Sequence, residues 1–325
     1  VVRFQRPGRQ FQRFLQRPFS RARLTLIRHS WGGRTMKIHN VTGGGGVRLQ
    51  VREWGNQDAP SIFFIHGWSQ NHLCWKKQYE SVLANDCRLV ALDLRGHGMS
   101  DAPLGDGNYT DPQLWADDVA AVIKQVDLGC PILVGWSYAG FIICDYLRLH
   151  GTAHVAGINF VGAAVTLNKS AFGTLIGPGF LDHVIGATDD DLPTNIEAIR
   201  NFVRGCTYSQ LPAEVFEMAI SWNMVVPAKV RAALLSRQID SDDVLARIDV
   251  PVLVTQGEQD TVILPAMGRH LLSMCPAAIA SWYPMTGHAP FMENPARFNS
   301  ELSHFARDAQ SPSAAAARGG ISLGR

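Results

Sequence analysis

The stretch ILVGWSYAGFIICDYLRLH, residues 132–150, decides the fold. Its first four residues form an uninterrupted apolar run of the kind a strand buried on both faces requires. From Phe141 onward the apolar residues fall at helical spacing. Between them stands Gly135-Trp136-Ser137-Tyr138-Ala139-Gly140, a turn that leads directly from strand to helix. Small residues in the turn let strand and helix approach closely, and the turn forces the serine into a strained conformation that thrusts its hydroxyl outward. It also sets the Tyr138 backbone N–H at a helix N-terminus, facing any oxyanion formed at Ser137. A lone G-x-S-x-G pattern carries little weight; framed by strand and helix it points to a nucleophile.

Four more strand-like runs end in residues that carry chemistry. Ile62–Ile65 leads into His66-Gly67-Trp68, and Leu89–Leu92 into DLRGHGMS, residues 93–100. Val252–Thr255 leads toward Gly257-Glu258-Gln259-Asp260, and Ala278–Tyr283 toward Gly287-His288-Ala289-Pro290. A serine hydroxyl is a weak nucleophile near neutrality and needs a base that titrates nearby, which is histidine's property. His288, in a loop after a strand, fits that role. A carboxylate must then hold the imidazole tautomer, and Asp260 occupies a matching strand end. Asp190, Asp191, Asp242 and Asp243 also follow Ser137, but they sit among acidic loop residues where solvated charge is the default. Among the other histidines, His66 and His97 belong to turns and are expected to bond to backbone, whereas His29, His39, His154 and His304 read as surface residues.

With these motifs in this order, the chain resembles the α/β-hydrolase superfamily over roughly residues 47–306. The resemblance implies an α/β class fold, a mainly parallel central sheet flanked by helices with a helical cap insertion. It implies a Ser137, Asp260, His288 triad and an oxyanion hole formed by the backbone N–H groups of Trp68 and Tyr138. The wording of the motifs is similar to bacterial carboxylesterases and to non-haem chloroperoxidases of perhydrolase type. Haloalkane dehalogenases and epoxide hydrolases of this fold carry aspartate at the elbow, and residue 137 is serine. Ester hydrolysis is the expected reaction; perhydrolysis, C–C hydrolysis, lyase or oxygenase chemistry and a non-catalytic binding role stay open, because fold does not fix reaction.

The strand rhythm also divides the chain. Residues 47–54 alternate as an edge strand would, and Val155–Val161 adds another strand. From Gly162 to about Ile248 strand signals stop and helical punctuation takes over, with Thr194 to Glu197 reading as a capping box and Pro212 and Pro227 near helix starts. Residues 36–162 and 249–308 are therefore assigned to the core and 163–248 to a helical cap over the carboxyl edge of the sheet. The cap holds Phe172, Phe180, Phe202, Phe216, Met218, Trp222 and Met224, most of them expected to pack among its own helices. Trp68, Trp136, Phe172 and Trp222 are the expected pocket residues, which makes the substrate a small to medium hydrophobic ester.

Composition narrows the partners. Hydrophobic residues make up 46% and charged residues 18% of 325, ordinary for a globular enzyme. The formal charge of +2 misleads, since nine arginines and no acid fall in residues 1–35 while the remainder holds 21 basic against 28 acidic residues. A mildly acidic body argues against nucleic acid as a partner. Residues 1–35 read as a basic extension outside the fold, with upstream sequence from a mis-assigned start preferred over a transit segment or a surface anchor; 309–325 read as a disordered tail. The six scattered cysteines read as core thiols, and no apolar run is long enough to span a bilayer. A cytoplasmic location is the default. Neither a metal nor an organic cofactor is expected, since H-E-x-x-H, the P-loop and a helix-opening G-x-G-x-x-G are all missing. Oligomeric state is not legible.

Overall fold

The structure, a computed structural model, describes residues 36–311 together with the backbone of residues 30–31 and 34–35. The main sheet contains the strands β1 (Lys37–Thr42), β2 (Arg48–Gly55), β3 (Ser61–Ile65), β4 (Arg88–Asp93), β5 (Ile132–Trp136), β6 (Gly157–Val161), β7 (Val252–Gly257) and β8 (Ala278–Tyr283). Their spatial order is β8-β7-β6-β5-β3-β4-β2-β1. Strands β3 to β8 pair in parallel, and β2 and β1 add antiparallel at one end. Every residue of β3, β5 and β6 is buried, which is why the segments that form β3 and β5 read as continuous apolar runs.

The described helices of eight residues or more are α1 (Pro112–Gln125), α2 (Ala139–His150), α3 (Pro178–Ala187), α4 (Leu192–Gly205), α5 (Ala213–Met224), α6 (Ala228–Leu235), α7 (Pro265–Met274) and, after a four-residue turn of helix at Pro290–Glu293, α8 (Pro295–Ala309). Helix α2 is buried from Ala139 through Leu147, which accounts for its apolar surface on nearly all sides. Helices α3 to α6 lie between β6 and β7, where the strand signal stops. In α4 the buried residues Asn195, Ala198, Ile199, Phe202 and Val203 keep the spacing of one helical face.

Several sequence expectations need correction. The segment 47–54 is strand β2, but it is not an edge: β1 covers it, a strand whose partly exposed KIHNVT sequence lacks an apolar run. Helix α4 starts at Leu192, three residues before the capping box would have it, because the Asp191 side chain accepts from the Thr194 N–H and Pro193 stands in the first turn. The tail does not begin at 309. Helix α8 ends at Ala309, and Gln310 exchanges two hydrogen bonds with the backbone of Ser61 at 3.2 and 3.0 Å. The rest of the tail, and residues 1–35 apart from a two-residue ladder of Ser30–Trp31 with Arg34–Thr35, lie outside the described residues.

Candidate active site

Because β3, β5, β6, β7 and β8 are parallel neighbours, the loops at their carboxyl ends meet at one edge of the sheet. Ser137 follows β5 directly and has φ of +58°, the left-handed region that a β-carbon makes costly. Its backbone is held on both sides: the N–H donates to Val161 O at 3.0 Å, and the carbonyl accepts from Gly140 and Ala164 at 2.9 and 3.0 Å.

Asp260 and His288 form a buried pair. Nδ1 of His288 lies 2.8 Å from Oδ2 of Asp260, and the two side chains are 1% and 0% exposed. Oδ2 also accepts from Gln256 Nε2 at 3.1 Å, while Oδ1 accepts from the Val262 and Ile263 N–H groups at 2.9 and 3.0 Å. A carboxylate so filled with donors acts only as an acceptor, so the proton of the pair sits on Nδ1 and Nε2 is left to take one. The pair sits beside the serine turn. Trp136 Nε1 donates to the His288 carbonyl at 2.8 Å, and the two rings are 5.4 Å apart. A β-carbon at Gly162 would lie 3.1 Å from His288 Nδ1 and 3.2 Å from Asp260 Oδ2, and Gly162 follows the Val161 that receives the Ser137 N–H.

On the other side, the His66-Gly67-Trp68 turn abuts the serine, since a β-carbon at Gly67 would lie 2.9 Å from Ser137 Cβ. Two histidines brace this turn, as expected, by bonding to backbone. His66 accepts from Leu94 N–H at 3.1 Å and donates to Gly67 O at 2.9 Å; His97 accepts from Ser69 N–H at 3.3 Å and donates to Arg95 O at 2.9 Å. Burial lowers their pKa values to about 3 and about 4 and keeps both rings neutral. Among the described residues neither the Trp68 nor the Tyr138 backbone N–H donates to a protein acceptor.

A small, partly open apolar cavity lies at Ser137. Trp68, Tyr138 and Phe141 line it from the core, Val262 and Ile263 from the loop after β7, and Ala164, Leu167, Ile176, Phe180, Phe202 and Leu235 from the inserted segment. Phe180 and Phe202 meet the Trp68 ring edge-on at 5.3 and 5.4 Å. Of the four expected pocket aromatics only Trp68 lines this cavity. Trp136 packs behind the serine against His288 and Phe291; Trp222 is buried with its Nε1 donating to Gln70 at 2.7 Å; Phe172 is 48% exposed. Phe180 and Phe202 take their place. Among the described residues no group of three His, Cys, Asp or Glu side chains stands ready to hold a metal ion, and no helix is long and apolar enough to cross a membrane.

The sequence profile of the alpha/beta hydrolase family matches residues 62–301, and the chain belongs to that family. Its relatives include esterases and non-haem haloperoxidases. A bifunctional esterase/perhydrolase of Acinetobacter calcoaceticus is 31% identical over 240 residues, 69% of this chain and 82% of that protein. A non-haem chloroperoxidase of Kitasatospora aureofaciens is 28% identical over 275 residues, 80% and 96% of the two chains. The crystal structure of an esterase from Rhodococcus sp. ECU1013 shares 36% identity and superposes with a TM-score of 0.77 over 83% of this chain and 98% of that one.

Proposed function

We propose that this α/β-hydrolase is a serine esterase that cleaves small to medium hydrophobic carboxylic esters through an acyl-enzyme. The observation that carries the proposal is a left-handed serine at the mouth of an apolar cavity, with a buried His–Asp pair packed against the same turn. In the proposed cycle Ser137 Oγ attacks the ester carbonyl while His288 Nε2 takes its proton. The oxyanion is held by the Trp68 and Tyr138 amides, and Asp260 stabilises the imidazolium. Collapse expels the alcohol with the proton from His288, and water activated by the same imidazole releases the acid. Helices α3 to α6 act as a cap whose Phe180, Phe202 and Leu235 select the acyl or alcohol group by apolar contact.

The likeness to an esterase/perhydrolase supports a second activity, in which hydrogen peroxide replaces water on the same acyl-enzyme and a peracid leaves. Separate assays test the two activities. A fluorophosphonate probe should label Ser137, and p-nitrophenyl esters of neutral acyl chains should turn over, with both signals lost in Ser137→Ala. Absence of labelling in the native enzyme would move the chemistry to a lyase or oxygenase mechanism that leaves the serine unmodified. Peracid formation from acetate ester and peroxide, or its absence, decides the second activity.

A further inference from the structure

The loop that carries His288 is fastened to the inserted segment by one carboxylate and by a backbone bond from the histidine itself. Glu293 closes the short helical turn Pro290–Glu293 and accepts from three backbone N–H groups on two separate segments. Oε1 receives Gly287 at 2.8 Å; Oε2 receives Tyr208 at 2.8 Å and Ser209 at 3.0 Å. Gly287 directly precedes the histidine, and Tyr208 and Ser209 follow the end of α4. Beside them the His288 N–H donates to Cys206 O at 2.9 Å. The backbones touch here: a β-carbon at Gly287 would lie 2.7 Å from Tyr208 N and 2.9 Å from Thr207 C.

The choice of glutamate has a chemical reason. A carboxylate is acceptor on both oxygens, so it can face donors on two sides at once; a glutamine serves one side and turns its own N–H groups toward the other. Burial raises the carboxyl above its ordinary pKa, and the three N–H donors oppose that rise. Asp260 orients the imidazole ring, yet the Asp260 bond does nothing to hold the backbone of the loop against the insertion.

We propose that Glu293 is a positioning residue for the hydrolytic reaction, clamping Tyr208 and Ser209 of the cap to the His288 loop so that seating of the cap and alignment of the imidazole are one event. This role rests on the base function proposed for His288. The test is Glu293→Gln, assayed with a p-nitrophenyl ester and by amide hydrogen exchange. The kcat is expected to fall about 10- to 100-fold, as a misplaced catalytic group does. KM should move less than about threefold. Phosphonylation of Ser137 should slow in parallel, and the Gly287, Tyr208 and Ser209 amides should exchange faster. In a His288→Ala background Glu293→Gln should leave the residual rate unchanged. Faster exchange with unchanged kcat, or an additive loss in His288→Ala, would overturn the proposal. A measurement on the native enzyme is independent of whether the variant folds: the amides of residues 208, 209, 287 and 288 should share one protection factor and gain protection together on phosphonylation, and unrelated exchange rates would overturn the clamp. Full turnover by His288→Ala would remove the base function and this role with it; exchange at the seam would then still report the three bonds to Glu293.

Discussion

Ser137 holds a backbone conformation that costs an L-residue about 1–2 kcal/mol, against almost nothing for glycine. Ser137→Gly is therefore expected to exceed Ser137→Ala in stability by about 1 kcal/mol in urea unfolding, although both lack the hydroxyl. Equal stabilities would show that the turn is relaxed. Asp260 offers a second test. Its oxygens face only donors, so Asp260→Asn must turn an N–H toward His288 Nδ1 or toward the Val262 and Ile263 amides. A loss of kcat of about 10³- to 10⁴-fold is expected in steady-state ester hydrolysis, from the wrong imidazole tautomer; a loss below tenfold would place the carboxylate elsewhere. Ser137, Asp260 and His288 could be picked out of the sequence because each stands just past an apolar run. Glu293 could not, since two of its three donors, Tyr208 and Ser209, stand far away along the chain and only folding brings them to it.

At the scale of elements, the same distinction separates what the pattern revealed from what it hid. The apolar runs of β3, β4 and β5 were legible because burial on both faces demands them. Strand β1 is hidden by its partly exposed side chains, and without it β2 reads as the edge. In the insertion, periodicity marks an apolar face on α4 but not what that face meets, so the sequence alone assigns Phe180 and Phe202 to cap packing and Phe172 to the pocket. Helix α6 contributes Leu235 to the cavity wall and takes the Tyr138 hydroxyl on its Leu234 carbonyl at 2.8 Å, tying the wall to the serine turn. Leu235→Phe adds bulk without polarity. It is expected to cut kcat/KM for octanoyl esters at least about tenfold relative to acetyl esters, a cost on the order of the 1–3 kcal/mol that overfilling a packed site carries. An unchanged chain-length profile would move the acyl group out of this cavity.

For the whole molecule, acid stability follows from the two neutral histidines that brace the Trp68 turn. Their folded pKa values, about 3 for His66 and about 4 for His97, lie below the ordinary 6.5. Above that pH neither folded nor unfolded state binds the proton. Below it the unfolded chain takes up two protons that the folded protein refuses, so stability falls as pH drops from 6.5 toward 4 and 3. Each pH unit costs about 1.4 kcal/mol per histidine, or about 2 kcal/mol each by pH 5. Urea midpoints between pH 7.5 and 5 measure it, and a flat profile would contradict the buried, neutral assignment. The thiols give a simpler check. Cys130 is exposed and the other five cysteines are buried. Native alkylation followed by intact mass should add one group, and prompt addition of more would show an opened core.

The contact between Trp136 and His288 joins residues 152 positions apart in sequence, and it forms at the edge of strands that must already lie side by side. Local helices and turns can appear early in refolding, but this pairing has to wait for the long loop closures that assemble a parallel sheet. Recovered turnover should therefore trail recovered ellipticity after dilution from denaturant, which makes enzymatic rate a clock for the last stage of assembly.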